Sequence, residues 1–193
     1  SMQVDFGGKG FNVCRMLKAL ETDSVALGFV GGHTGEVITE GLKGLGIQIN
    51  LTRILGETRT NTSIVEKVST HHIKINESGP VVLNTEVETF LNKVGKLAKP
   101  GDYWIMAGSL PNNVPADIYA KIIHQVKAAG AYTILDTSDV PLRFGLEANP
   151  FLIKPNLDEL GHIFGQHVDS TKALSDVVVK LHSMGVKNVL VSM

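Results

Sequence analysis

The spacing of apolar and polar residues predicts strands and helices in alternation along the chain. Segments with the length and apolar content of buried strands cover residues 24–30, 47–55, 102–107, 132–135, 151–154 and 188–191. Segments with the period of an amphipathic helix cover residues 13–20, 34–42, 85–98, 115–129, 140–146, 155–160 and 173–183. Strands that alternate with helices predict a mainly parallel sheet with helices on both faces.

One pair of segments departs from this order. Residues 62–68 and 73–75 alternate apolar and polar positions, as half-exposed strands do, and His71 and His72 lie near the turn between them. We expect an antiparallel pair outside the main sheet, as part of a small lid. Among the helix boundaries, Thr34 is the expected N-cap of the second helix.

A glycine-rich stretch at residues 7–12 precedes the first predicted helix. Its three glycines permit a sharp turn and a close approach to the main chain. A helix N-terminus attracts anions, Lys9 adds a positive charge, and Asn12 adds an amide. The residues alone leave two interpretations open, which are a cradle for a phosphorylated ligand and a plain turn. A dinucleotide fingerprint is disfavoured by Val13, and a P-loop by the lack of a Lys-Ser/Thr pair.

Composition narrows the class of protein. The 193 residues are 43% hydrophobic and 19% charged, which suits a folded domain, and the net charge of −1 provides no basic surface for nucleic acid or an anionic membrane. The single cysteine, Cys14, excludes an internal disulfide and is expected to be a small buried side chain. No apolar run of membrane-spanning length and no signal-peptide pattern occur, so we expect a cytoplasmic protein.

Polar residues collect where several predicted strands end. They follow the strands at residues 108–109, 136–138 and 154–156. Because ligands of open α/β sheets bind at the carboxyl ends of the strands, these clusters predict one shared binding edge. At that edge two interpretations of Asp136 are open, a side chain that lines the binding edge and a cap of the following helix, and the cap is favoured.

Seven short motifs, taken together and in order, resemble the ribokinase-like (PfkB) family of sugar kinases, and among them the bacterial 1-phosphofructokinases and tagatose-6-phosphate kinases. They lie at residues 7–13, 31–35, 56–59, 75–80, 108–111, 136–138 and 154–159. The resemblance implies a three-layer αβα sandwich with a partial β lid. It implies ATP-dependent phosphorylation of a ketohexose phosphate. The pair Asn76 and Glu77 favours fructose 1-phosphate, with tagatose 6-phosphate as the alternative. A sugar-phosphate-binding fragment without catalysis is a further alternative.

The resemblance also assigns roles on the substrate side. Gly8, Lys9 and Asn12 would hold the sugar, with Lys9 near its existing phosphate. Arg59 would clamp that phosphate, since a guanidinium can bind it with two parallel hydrogen bonds. Ser109 would line the cleft. Without the resemblance, Arg59 and Ser109 have the character of an exposed loop charge and a turn residue.

A second group of residues is implied on the nucleotide side. Lys154 would reach the phosphates of ATP, and Asn156 with Glu159 would order Mg²⁺ through water, which suits an ion that keeps much of its hydration shell. Taken alone, Glu159 is typical of a first-turn acid that the helix dipole favours. The seven histidines show no metal-ligand spacing.

The family pattern extends past both ends of this sequence. The resemblance places the general-base aspartate and the anion hole beyond Met193, and another sugar-binding aspartate before residue 7. Residues 1–193 are therefore expected to be an incomplete single domain without kinase activity of its own. Its lid strands are expected at about residues 3–7 and 62–76, and a homodimer through them is the expected assembly.

Overall fold

The computed structural model describes residues 5–65 and 72–193. The chain divides into two compact units, one of residues 1–90 and 111–114 and the other of residues 91–110 and 115–193. The single-domain organisation expected for residues 1–193 stays a prediction. Within the described residues, no helix is both long enough and apolar enough to cross a membrane.

The described elements of the first unit follow the predicted alternation. In chain order they are α1 (Lys9–Ala19), β1 (Val25–Ala26), β2 (Phe29–Val30), α2 (Gly32–Gly44), β3 (Gln48–Ile49), β4 (Thr52–Arg53), β5 (Asn61–Val65) and β6 (His72–Asn76). Helix α3 (Asn84–Leu97) begins in this unit and continues into the second.

The short strands of the first unit form a continuous parallel ladder. Strand β1 pairs with β3 and β2 pairs with β4, both in parallel. Between these pairs, the amide of Asn50 donates to the carbonyl of Ala26 at 2.9 Å, and Thr52 donates to Gly28 at 2.8 Å. The predicted strands at residues 24–30 and 47–55 are thus confirmed as neighbours. Their core includes Cys14, which is buried as predicted.

The second unit is built on one four-stranded parallel sheet. Its elements are β7 (Tyr103–Ala107), α4 (Ile118–Ala128), β8 (Tyr132–Asp136), α5 (Asp139–Glu147), β9 (Leu152–Ile153), α6 (Leu157–Phe164), α7 (Thr171–Ser183) and β10 (Asn188–Val189). The strand order is β10-β9-β8-β7. The carboxyl ends of all four strands therefore lie at one edge, which positions the polar residues that follow them.

The two faces of this sheet differ in what covers them. Helices α4 and α5 pack against the face of β8 that carries Leu135, and the lack of a side chain on Gly145 makes room for Leu135 there. On the other face Tyr103 and Tyr132 are register partners whose rings stack at 5.0 Å between centroids. These two side chains are 62% and 42% exposed.

The predicted lid pair is an antiparallel hairpin of β5 and β6. The register sets Thr62 opposite Ile75 and Ile64 opposite Ile73, so these four side chains share one face. The three isoleucines are 53% to 59% exposed. Residues 66–68 of the first predicted strand and His71 lie outside the described residues. So do residues 3 and 4 of the other predicted lid strand, and residues 5–7 are irregular because the glycine stretch starts there.

Two predicted helix starts need correction. Helix α1 begins at Lys9, inside the glycine stretch and not behind it, because Gly8 can adopt the N-cap conformation with φ of 137°. The N-cap of α2 is Gly31, so the prediction that Thr34 caps this helix is wrong. Thr34 lies within the first turn, where a distant acceptor satisfies its amide, as described below.

Candidate functional site

The first turn of α1 presents the residues predicted to hold the sugar. Gly8 is the N-cap and its carbonyl accepts from the amide of Asn12 at 2.9 Å. Lys9 is the first helical residue and Asn12 lies one turn further along. The first amides of an eleven-residue helix thus lie beside a lysine and an amide side chain, an arrangement that favours an anion.

The glycine pair at the start of α2 is joined to the segment before Arg59. The carboxylate of Glu57 accepts from the amides of Thr34 at 2.6 Å and His33 at 3.1 Å. These amides lie 23 and 24 residues away in the sequence. The hydrogen bonds from Thr34 are the main reason why the pKa of Glu57 is below its usual 4.5. Glu57 is therefore the side chain that caps α2.

A side chain at Gly31 or Gly32 would overlap neighbouring atoms of this junction. A Cβ on Gly32 would overlap the Glu57 carboxylate, and one on Gly31 would overlap the carbonyls of Ile54 and Gly56. Thr58 completes the junction, because its hydroxyl accepts from the Gly31 amide at 2.9 Å while its own amide donates to the Gly31 carbonyl at 3.0 Å. Residues 31–35 and 56–59 are therefore held together by these hydrogen bonds.

Arg59 is an exposed residue that lines an open cavity of the first unit. The cavity has a volume of about 600 Å³ and is lined by Gly56, Glu57, Arg59, Glu77 and residues 78–81. The carboxylate of Glu77 accepts from the amide of Thr60, next to Arg59, at 2.8 Å. Asn112 supports the opposite wall by donating to the carbonyls of Ser78 and Gly79 at 3.2 and 3.0 Å.

In the second unit, the end of β7 is held by three hydrogen bonds. The carbonyl of Gly108 accepts from the hydroxyls of Tyr119 at 3.0 Å and Thr137 at 2.9 Å, and its amide donates to the Asp136 carbonyl at 3.0 Å. Ser109 follows directly in the chain. Burial raises the pKa of Tyr119 to about 12, and the charge of Asp136 adds to this. The buried phenol therefore stays protonated and fixes the position of the backbone before Ser109.

The ends of the next two strands meet through an ion pair. The ammonium of Lys154 lies 3.5 Å from a carboxylate oxygen of Asp136. The expectation that Asp136 caps a helix is wrong, because it is the last residue of β8 and Ser138 is the N-cap of α5. The contacts from Gly108 to Asp136 and from Asp136 to Lys154 confirm that these strand ends share an edge.

Asn156 and Glu159 form a capping box at the start of α6. The Asn156 side chain accepts from the Glu159 amide at 2.8 Å, and the Glu159 carboxylate accepts from the Asn156 amide at 2.9 Å. This reciprocal pair satisfies two amides at the helix start. One oxygen of Glu159 thus has a structural contact, and any role with a metal falls to the rest of the carboxylate.

The chemistry of the described donors suits a hydrated ion. Among the residues that the structure describes, no group of three or more His, Cys, Asp or Glu side chains could hold a metal. Asp136 and Glu159 provide carboxylate oxygens near the edge of the sheet, and oxygen is the donor that Mg²⁺ prefers. The described residues therefore fit Mg²⁺ held through water and ligand phosphates.

The sequence did not predict the contacts of three residues that support this site. Glu57 and Glu77 lie in motifs that were singled out, but their partners are 17 to 24 residues away and no local pattern indicates them. Tyr119 falls on the buried face of a predicted helix, where the pattern indicates only core packing. The apolar period could have located Tyr119 in the core but not the acceptor of its hydroxyl.

Comparison with known proteins identifies the family. The model of the pfkB family carbohydrate kinases matches residues 1–193. The chain belongs to the pfkB family. A 1-phosphofructokinase of Bacillus subtilis (strain 168) is 38% identical over 187 residues, which is 97% of this chain and 60% of the relative. A tagatose-6-phosphate kinase of Staphylococcus epidermidis is 38% identical over 164 residues, 84% of this chain and 52% of that protein.

Solved pfkB-type structures confirm the predicted fold class. Phosphofructokinase-2 from Escherichia coli, in a tetrameric inhibited form, superposes with a TM-score of 0.89 and 24% identity. The superposition covers 97% of this chain and 62% of that one. The mainly parallel sheet with its helices is thus the ribokinase-like αβα fold. The chain spans 52% to 62% of the length of these relatives.

Proposed function

We propose that the complete protein carrying this sequence is an ATP-dependent ketohexose phosphate kinase, with fructose 1-phosphate as substrate and fructose 1,6-bisphosphate as product. The observation that carries this proposal is the 38% identity to a 1-phosphofructokinase over 187 of the 193 residues. That match is long enough to include both the Arg59 cavity and the strand-end edge at Asp136 and Lys154. Each feature includes one cationic side chain, Arg59 or Lys154, that can bind a phosphate group.

On the sugar side, the first unit supplies two cations and an amide. Lys9 and Arg59 bind the existing phosphate of the sugar, and Asn12 binds a hydroxyl, beside the N-cap Gly8. The planar guanidinium of Arg59 matches two phosphate oxygens at once, whereas Lys9 acts as a point charge. Ser109 is proposed as a further sugar contact.

On the nucleotide side, the second unit supplies Lys154, Asn156 and Glu159. Lys154, held by Asp136 at 3.5 Å, binds phosphate oxygens of ATP. When bound, Mg²⁺ neutralises the phosphoryl oxygens, and Glu159 with Asn156 orders its water. These residues position the γ-phosphoryl group for transfer to the sugar hydroxyl. The sugar hydroxyl gives up its proton in that step. We do not assign any described residue as the general base that accepts this proton.

A panel of substrates tests this proposal. The complete protein is assayed for ADP release with fructose 1-phosphate, tagatose 6-phosphate and fructose 6-phosphate. We expect the highest kcat/KM with fructose 1-phosphate. Preference for tagatose 6-phosphate would favour the second candidate, which the 38% identical tagatose-6-phosphate kinase supports. Binding of a sugar phosphate by calorimetry without ADP release would instead indicate a binding protein, and neither binding nor turnover would refute the proposal.

We further propose that the hairpin of β5 and β6 joins two copies of the complete protein. Its apolar face exposes Ile64, Ile73 and Ile75 to solvent, and such a face is favourable to cover. The substitution Ile64→Lys should shift a dimer toward monomer in sedimentation. Ser63→Lys, on the opposite face of the same strand, is the matched control and should leave the mass unchanged. Equal effects of the two substitutions would contradict this interface.

A further inference from the structure

Arg59 lies between two residues that are each bound to a different segment of the first unit. On its N-terminal side, Thr58 exchanges two hydrogen bonds with Gly31, at 2.9 and 3.0 Å. On its C-terminal side, the amide of Thr60 donates to the carboxylate of Glu77 at 2.8 Å. Because both neighbours are held, the direction in which the Arg59 side chain leaves the backbone depends on these two anchors.

The second anchor closes the base of the hairpin. The last register pair of β5 and β6 is Asn61 opposite Asn76, so Thr60 and Glu77 are the next pair along. At this pair the amide of Thr60 donates to the side chain of Glu77. One carboxylate therefore links the hairpin to the residue beside Arg59. A hydrogen bond to an ionised acceptor is stronger than one between neutral groups, which suits a single-point anchor.

The cavity brings these groups together. Arg59 and Glu77 both line it, and the chain between them turns through Gly79, whose φ is 79°. A Cβ at Gly79 would lie 3.4 Å from the Cδ of Arg59, so the arginine stem passes directly over this glycine. The stem is thus confined on one side by the loop after Glu77 and at its backbone by Thr60.

We propose that Glu77 is a positioning residue for Arg59: by holding Thr60, it aims the guanidinium at the phosphate of the sugar substrate. This inference rests on the proposed kinase function. It gives Glu77 no contact with the substrate. It also assigns a second purpose to the lid hairpin, whose base fixes the arginine.

The test compares Glu77→Ala and Glu77→Gln in the complete protein, with Glu36→Ala, an exposed glutamate of α2, as the control. Glu77→Ala should weaken fructose 1-phosphate binding by about tenfold, with ATP binding unchanged. Glu77→Gln keeps an acceptor for Thr60 and should stay within about threefold of wild type, because a neutral bond is roughly half as strong. An equal loss of ATP binding, or no recovery with glutamine, would overturn the proposal.

A double-mutant cycle separates positioning from general damage. In an Arg59→Ala background, Glu77→Ala should cause no further loss of fructose 1-phosphate binding, because the residue it positions is gone. A further tenfold loss would overturn the proposal.

A second measurement does not depend on the kinase function. If the wild-type protein binds no sugar phosphate, the proposed kinase function fails, but NMR of the Arg59 side-chain N–H still tests whether Glu77 positions Arg59. That signal should shift in Glu77→Ala and not in Glu36→Ala, and an unmoved signal would overturn it.

Discussion

Arg59 lines the cavity of the first unit and is the proposed two-donor contact of the sugar phosphate. Arg59→Lys keeps the charge but removes the planar pair of donors, so fructose 1-phosphate binding should weaken about tenfold or more while ATP binding changes little. Titration calorimetry on the complete protein measures both. The control is Arg53→Lys, an exposed arginine on β4, which should change neither. Equal weakening of both ligands by Arg59→Lys would remove Arg59 from the phosphate site.

Gly32 is confined by its own backbone and by its neighbour. Its φ is 63°, and a Cβ would overlap the Glu57 carboxylate that caps α2. Gly32→Ala should therefore destabilise the protein by roughly 1–3 kcal/mol. Gly44→Ala, at the other end of the same helix and with open space around its Cβ, should be neutral or stabilise by up to about 1 kcal/mol. Denaturant unfolding measures the free energy of unfolding of both variants. Equal values for Gly32→Ala and Gly44→Ala would contradict the proposed crowding at Gly32.

At the scale of elements, the capping box of α6 lets two roles of Glu159 be separated. Glu159→Gln keeps an acceptor for the Asn156 amide, so α6 should retain its stability while the carboxylate charge is lost. If Glu159 orders Mg²⁺ through water, the Mg²⁺ concentration for half-maximal turnover should rise by about tenfold. Asp158→Asn removes a charge from the same helix turn and should leave it unchanged. An unaltered Mg²⁺ dependence in Glu159→Gln would leave the residue with its capping role alone.

Elements with a strong local period were predictable from the sequence. Helix α3 was expected at residues 85–98 and spans Asn84–Leu97, because Val87 and Val94 mark a buried face that few other structures could produce. The hairpin expected at residues 62–68 and 73–75 was predictable, in its described part at residues 61–65 and 72–76, from a period of two. Here the period indicates which side chains share a face and not which face is buried, because every residue of β5 is exposed.

Contacts between distant segments were not predictable in this way. Thr34 has the side chain of a typical N-cap, yet α2 starts two residues earlier because Gly31 and Gly32 fit the turn and Glu57 supplies an acceptor from 23 residues away. Asp136 likewise has the chemistry of a cap, but Lys154 on the adjacent strand pairs with it. In both cases the local preference was outweighed by a partner that only the fold brings near.

At the scale of the whole molecule, Tyr119 should limit stability in alkali. Its pKa rises from 10.0 to about 12 on folding, so its contribution is fully present below pH 10 and is lost as the pH rises from 10 to 12. The loss is at most about 2–3 kcal/mol. Between pH 10 and 12, Tyr119→Phe should therefore lose stability less steeply than wild type, and Tyr132→Phe, an exposed control, should follow wild type. Parallel curves for all three would refute the buried phenol as the cause.

The overlap between a Cβ at position 32 and the carboxylate at position 57 has an evolutionary consequence. A descendant of this protein that acquires a side chain at Gly32 displaces the Glu57 carboxylate from its present position, and one that loses Glu57 loses the acceptor for His33 and Thr34. The two positions therefore act as one inherited character, and substitutions at them should appear together in related sequences. An alignment of related sequences should therefore show covariation between positions 32 and 57.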